Sequence, residues 1–432
     1  MIRILTPHRG PRLDYAADFI FRRVLRTDFR IEPPDAPREK GEAVLTYGVD
    51  LPGNHLHVQP SGLIFASGIP TALPKPEVRD GLPCLFPAND TQHVTGDIFS
   101  EVFFALSRAE EYLSDERDKH GRFPASASVH APFREIPFID RLIFRFGESL
   151  ISKGMLIQLP RTATRFINTL DIDIAYAYRG RSLLRAAGAT GRDLLGAKTA
   201  RLRERVAVLS GSIPDPFDTY AVFRRAGGSA HENICFILCG KRSGYDINLD
   251  PRHPAMSKLI RSLKTFAEVG IHPSYAALGN RERTAEEIKA LERASGVVPQ
   301  VSRQHFLRFK LPETFRTLSE LGIRRDYSMG WADAVGFRSG TAYTHPFYDL
   351  SRDEVLPIEL VPLHAMDSAL FTYLGLSPGE ASARLEALYA SILPTGGNFV
   401  TVWHNHSLSD TGIWRGARKV YTSFADSVRQ NA

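Results

Sequence analysis

The chain has 432 residues, with 54 Lys and Arg against 48 Asp and Glu for a formal charge of +6, and it is 43% hydrophobic and 24% charged. These are globular proportions, and they exclude a collagen-like, coiled-coil or wholly disordered chain. The length exceeds the roughly 250–300 residues over which one hydrophobic core keeps growing, so two domains are expected. Three cysteines, Cys84, Cys235 and Cys239, are too few for a disulfide framework and suit a reducing compartment. The N-terminal residues lack the long apolar core of a signal peptide, and no stretch approaches the ~20 uncharged residues of a membrane span, so a cytoplasmic protein is expected. The two charge signs are mixed almost throughout, and no nucleic-acid partner is expected.

The spacing of Ala16, Phe19, Ile20 and Val24 predicts an amphipathic helix over Tyr15 to Leu25. Short strands are predicted at Val44 to Tyr47, Leu56 to Val58 and Leu63 to Ala66, between Gly, Pro and Asn breaks. A second helix, with apolar positions from Ile98 to Leu113, follows an Asp97 cap. Asp118 to Pro137 holds Gly121, Pro124, Pro132 and Pro137, which is loop chemistry, and the helical run Phe138 to Lys153 closes this first module at about residue 150. From Phe166 onward strand-like and helical runs alternate. Strands are predicted at Phe166 to Leu170, Ile234 to Leu238, Val269 to His272, Val297 to Val301, Tyr327 to Met329, Leu356 to Val361 and Asn398 to Trp403. Helices are predicted at Ser257 to Glu268, Thr284 to Ala294, Pro312 to Leu321 and Pro378 to Leu393. Such alternation implies a mainly parallel α/β sheet or barrel, whose functional groups lie beyond the carboxyl ends of the strands.

Four strand ends carry polar clusters. Phe166 to Asp173 is an apolar strand that ends in two carboxylates, Asp171 and Asp173, which crowd each other unless a cation or shared proton relieves them. A metal-dependent hydrolase, a phosphatase with an aspartate nucleophile and a nucleotide-sugar transferase all use such a pair; capping or surface acids are the plainer alternative. Glu268 to Tyr275 delivers His272, an imidazole suited to zinc or to a structural hydrogen bond. Ser302 to Phe309 crowds Arg303, His305 and Arg308, and Phe399 to His406 ends in His404, Asn405 and His406.

In this order the pieces resemble the polysaccharide deacetylase (NodB-like, carbohydrate esterase family 4) superfamily: Thr169 to Asp173, Ile271 to Tyr275, Ser302 to Phe309, Asp326 to Gly330, and Val402 to His404. A divergent bacterial branch is similar through Ser302 to Phe309, Leu311 to Phe315, Gly336 to Gly340 and Trp403 to Asp410, and carries an uncharacterised N-terminal domain like residues 1 to 150. The resemblance implies a distorted (β/α) barrel over 151–432. It implies one divalent metal, usually zinc, and removal of acetyl groups from N-acetylated sugars or glycans; the basic segment from Arg179 to Arg205 makes surface-polysaccharide metabolism the expected setting. Asp171 matches the family's general base, Asp173 its metal-binding aspartate, His272 its first metal histidine and His404 the histidine that protonates the leaving amine. Arg303 or Arg308 would orient the base.

The family's second metal histidine lies four residues after the first, and here that position is Ala276. Catalytic zinc normally has three protein ligands, and His305, at the next strand end, is the expected replacement. A glycan-binding relative without catalysis is the alternative. Beyond the acids, basic residues from Arg179 to Arg205 alternate with leucines, which suits either a solvated helix face or peripheral contact with an anionic membrane.

Overall fold

A computed structural model describes residues 1–39, 41–53, 55–87, 96–161, 163–180, 199–227 and 232–430. The first 85 residues contain β1 (Ile2–Leu5), β2 (Phe29–Glu32), β3 (Val44–Tyr47), β4 (His55–Val58), β5 (Glu77–Arg79) and β6 (Leu82–Cys84). The first four form a parallel sheet of order β2-β1-β3-β4, and the last two a separate hairpin. The expected helix after Tyr15 begins earlier, at Pro11, and turns π-helical over Asp18–Val24. Leu63 to Ala66 is not a strand: Leu63–Phe65 is one 3-10 turn. Asp97 caps the helix Ile98–Ser107 by accepting from the Ser100 amide. Arg108, at φ 56°, breaks it from Ala109–Leu113.

The remaining strands are β7 (Thr164–Ile172), β8 (Glu232–Leu238), β9 (Glu268–His272), β10 (Val301–Ser302), β11 (Arg325–Asp326), β12 (His345–Asp349), β13 (Glu354–Leu360), β14 (Ala365–Met366) and β15 (Gly397–His404). They make one nine-stranded sheet of order β12-β13-β11-β10-β9-β8-β7-β15-β14, parallel except between β12 and β13. Among the described residues its edges are not paired with each other, so the expected barrel is an open sheet. One edge strand, β14, is only two residues long. The other, antiparallel β12, is covered: Tyr348 packs on Tyr15 and Phe103 at ring distances of 5.0 and 4.9 Å, and Tyr15 donates to the Pro346 carbonyl at 2.8 Å. Val297 and Val298, expected in a strand, are half exposed ahead of β10, and the strand expected at Tyr327 lies two residues earlier.

The register sets the site. His404 pairs with Asp171 across β15 and β7, Leu238 with His272 across β8 and β9, and Ile271 with Ser302 across β9 and β10. Five adjacent carboxyl ends are therefore level, and the residues just past them share one rim. The apolar faces of β7, β8 and β15 lie in one core, and a second core joins residues 2–150 to Tyr343, Tyr348 and Leu350. No helix among the described residues is long and apolar enough to cross a membrane.

Candidate active site

Asp173 stands just past β7, with His272 at the end of β9 and His305 three residues past β10. One ligand atom from each lies within 4.8 Å of the others. His272 Nδ1 lies 2.5 Å from the Arg303 carbonyl, which can only accept, so the ring carries its proton there. Its Nε2 thereby faces Asp173 Oδ1, 3.3 Å away. His305 is pinned in the same sense, with Nδ1 2.9 Å from Asp246 Oδ1 and Nε2 3.6 Å from Asp173 Oδ2. Asp246 is fully buried and is itself held by the Ser243 hydroxyl and the Tyr275 amide. Asp173 Oδ1 is buried without a hydrogen-bond partner. Two imidazoles with their second nitrogens anchored, facing a carboxylate with an unused oxygen, make a donor set that fits a divalent ion.

Asp246→Ala frees the far nitrogen of His305, and affinity for a divalent ion is expected to fall about 10–100-fold, read by chelator competition. Burial alone would lower the His305 pKa, but the charge of Asp173 and the hydrogen bonds to Asp173 and Asp246 outweigh it and raise it to about 9. Only the neutral ring can bind an ion, so affinity for a divalent ion is expected to fall about tenfold per pH unit as pH drops below that value. A flat titration would contradict the His305 assignment.

Asp171 is buried beside this group. Its Oδ1 accepts from Arg303 Nη1 at 2.7 Å, and its Oδ2 lies 3.7 Å from His272 Nε2. Arg303 has no exposed surface; it also donates to Thr169 Oγ1 and the Tyr327 carbonyl and lies over the Phe236 ring at 4.3 Å. Arg308 does not reach Asp171. It stacks on Tyr275 at 4.2 Å and donates to the carbonyls of His120 and Tyr275. His404 Nδ1 lies 2.7 Å from Asp367 Oδ1, which leaves Nε2 facing Asp173 Oδ2 at 3.5 Å. Burial would lower the His404 pKa, but the charges of Asp367 and Asp173 raise it to about 10. His406, by contrast, is pushed down to about 4 by burial and by the charge of His404.

Asp171, Asp173, His272, His305, His404 and His406 line a cavity of about 200 Å³. A larger groove of about 1040 Å³ lies between Asp14, Arg23 and Glu359; several of its ionic groups pair with one another, as in Arg23–Glu359 at 2.9 Å and Arg9–Asp14 at 2.9 Å. Asp246 and Asp367 are not among the residues singled out in the sequence: Asp246 enters from an irregular segment, Asp367 directly follows the two-residue strand β14, and each acts only through the histidine it meets in space. Of the basic segment, Arg181 to Lys198 lies outside the described residues.

Residues 2–155 match the model of a family of unknown function, DUF7033. No curated protein matches this sequence. Among solved structures the chain is similar to a candidate polysaccharide deacetylase from Mycobacterium smegmatis at 15% identity, TM-score 0.38, over 63% of this chain and 92% of that one. It is similar to Puue allantoinase at 14% identity, TM-score 0.34, over 62% and 85%. A candidate glycoside hydrolase/deacetylase from Parabacteroides distasonis gives 10%, 0.37, and 63% and 69%. At such scores nothing of those proteins' chemistry transfers, and the functional reading rests on the side chains above.

Proposed function

We propose that this chain is a metal-dependent N-deacetylase that hydrolyses the acetamide of a sugar or glycan intermediate in surface-polysaccharide metabolism, with residues 1–150 and 151–432 as its two domains. The observation that carries the reading is the convergence of Asp173, His272 and His305 with both imidazole protons anchored outward, beside a carboxylate and a third histidine that have anchors of their own. The phosphatase and sugar-transferase alternatives leave those three histidines without a task.

Asp173, His272 and His305 would hold the ion, zinc in this reading, which when bound lowers the pKa of a water and polarises an acyl carbonyl. Arg303 occupies Asp171 Oδ1 and so leaves Oδ2 to take the proton of the attacking water. His404 keeps its Nδ1 proton on Asp367 and presents Nε2 to give a proton to the departing nitrogen. Asp367 is itself held by the Ser407 hydroxyl and the His404 amide, so the imidazole has one orientation. Burial of the group excludes bulk water, which strengthens each of these interactions.

The test is elemental analysis together with acetate release from N-acetylglucosamine oligosaccharides. One zinc per chain with acetate release is expected; neither metal nor acetate, with retention on glycan, would instead mark a glycan-binding relative. The three free, buried cysteines support a cytoplasmic location. Peripheral membrane contact through Arg179 to Arg205 is expected to show as co-sedimentation with anionic vesicles at low salt, and its absence would remove that contact from the proposal.

A further inference from the structure

One wall of the cavity comes from the segment matched only by a family of unknown function. Residues 118–122 form a tight turn in which Asp118 Oδ1 accepts from the amides of His120 and Arg122, at 2.8 and 2.9 Å. Asp118 Oδ2 accepts from Arg122 Nε at 2.8 Å, so the guanidinium leaves the turn in one direction. It lines the cavity, is 5% exposed, and spans it: Nη1 donates to the Phe306 carbonyl at 2.9 Å and Nη2 to the Tyr373 hydroxyl at 2.9 Å.

Both ends of that span matter to the reacting groups. Phe306 follows His305 directly, and Phe306 and Leu307 hold φ of 63° and 51°, a left-handed conformation that L side chains rarely adopt. The carbonyl bond from Arg122 and the packing of His120 on the Phe306 ring, 5.0 Å between centroids, fix this bend. Tyr373 ends the π-helix Ala369–Tyr373, which begins two residues after Asp367, the partner of His404. Arg122 thus ties the wall bearing the third proposed metal ligand to the wall bearing the anchor of the proposed acid.

The space so framed has the chemistry of a sugar site. Phe306, Tyr373 and Trp414 supply aromatic surface, while Gln304 and His406 also line the cavity, and Gln304 Nε2 and His406 Nδ1 are buried with no hydrogen-bond partner. A pyranose offers C–H faces to the rings and hydroxyls to the free nitrogens. A cavity of about 200 Å³ is smaller than the ~300–1,000 Å³ that drug-sized ligands fill, which admits one ring with its acyl group and not a stretch of polymer.

We propose that Arg122 is a positioning residue of the substrate site: by clamping Phe306 against Tyr373 it sets a gap that takes a single N-acylated pyranose ring. The N-terminal segment thereby completes the site from outside the nine-stranded sheet. This inference rests on the deacetylase reading.

The test uses the full-length, zinc-loaded protein with the methyl glycoside of N-acetylglucosamine, a single acylated ring, as probe. It follows zinc content, kcat and KM for acetate release, and binding by the fluorescence of Trp414 and its two companions. Arg122→Ala is expected to keep one zinc per chain and to raise KM and the dissociation constant about tenfold, with kcat changed less than about threefold. Tyr373→Phe, which removes one hydroxyl and keeps the ring, is expected to raise KM about threefold, and the double variant to do no worse than Arg122→Ala, since both changes break one clamp. Arg122→Lys is expected to recover part of the loss. Unchanged KM in Arg122→Ala at full zinc content, or fully additive losses, would overturn the proposal and leave the deacetylase reading standing. If Arg122→Ala does not fold, Tyr373→Phe decides alone: unchanged KM overturns the clamp. A parent protein that neither binds the single-ring probe nor releases acetate from it would overturn both.

Discussion

His305→Ala is expected to lose its zinc completely, whereas His404→Ala is expected to keep one ion per chain and to lose about 10²–10⁴-fold in kcat. The contrast is sharp because the two rings look alike from Asp173. Their Nε2 atoms lie 3.6 and 3.5 Å from the same oxygen, and each has a buried aspartate on Nδ1. What separates them is which ring joins His272 and Asp173, since both have an imidazole neighbour at 5.1 Å, His272 for His305 and His406 for His404. His305 groups with His272 and Asp173 as a three-ligand set, its ring 5.1 Å from that of His272. His404 lies on β15, across β7 from that pair, level with Asp171. An acid that protonates a leaving nitrogen is needed on that far side. Elemental analysis of the two variants, with acetate release measured at saturating zinc, decides the matter. Zinc lost from His404→Ala and retained in His305→Ala would exchange the two roles.

Much of this geometry was legible because strands deliver residues by position. The apolar run before Asp171 and Asp173 predicts both a buried strand and acids at its end, and the same logic found His272 and His404. His305 was legible only as the polar residue after the next strand, and β10 proved two residues long, so its placement owes more to the bend at Phe306 than to strand geometry. Arg303 and Arg308 could not be told apart in sequence, since a five-residue separation across a 3-10 turn sends one guanidinium into the core and the other out to Tyr275. Asp246 and Asp367 carry no local pattern, because a carboxylate that anchors an imidazole is defined by a contact across 59 or 37 residues. The open sheet was equally hidden. Period and alternation announce strands, but whether the edges meet depends on what covers β12, and that cover comes from Tyr15 and Phe103, more than 200 residues away.

Arg338→Ala is expected to destabilise the protein by about 3–5 kcal/mol, the largest stability effect of any single change considered, read as a lower denaturant midpoint. Arg338 lies in the segment Gly336 to Gly340, one of the stretches that carry the family resemblance, yet it does not line the cavity. Its guanidinium makes a two-pronged pair with Glu111 at 2.9 and 2.6 Å, donates to the Gly330 carbonyl, and lies 4.6 Å from the Phe309 ring centre. Glu111 also accepts from Arg108, which pairs with Glu110, so four charges share one dry site with every partner in place. Removing Arg338 strands part of the Glu111 charge where water cannot reach it. Burial would raise the Glu111 pKa, but the charges of Arg338 and Arg108 outweigh it and hold it down at about 2. Glu111 ionises more readily folded than unfolded, so this stabilisation is complete above its ordinary value near 4.5 and is lost as pH falls toward 2. The difference between parent and Arg338→Ala should therefore shrink in acid. Arg9→Ala is the control: its pair with Asp14 is open to solvent on both sides, and its removal is expected to change stability by no more than about 0.5 kcal/mol. Because Arg338 touches neither the proposed ligands nor the cavity, kcat of the folded variant should match the parent. A loss of kcat without a loss of stability would show that this network acts on the site and not on the joint between the N-terminal segment and the sheet.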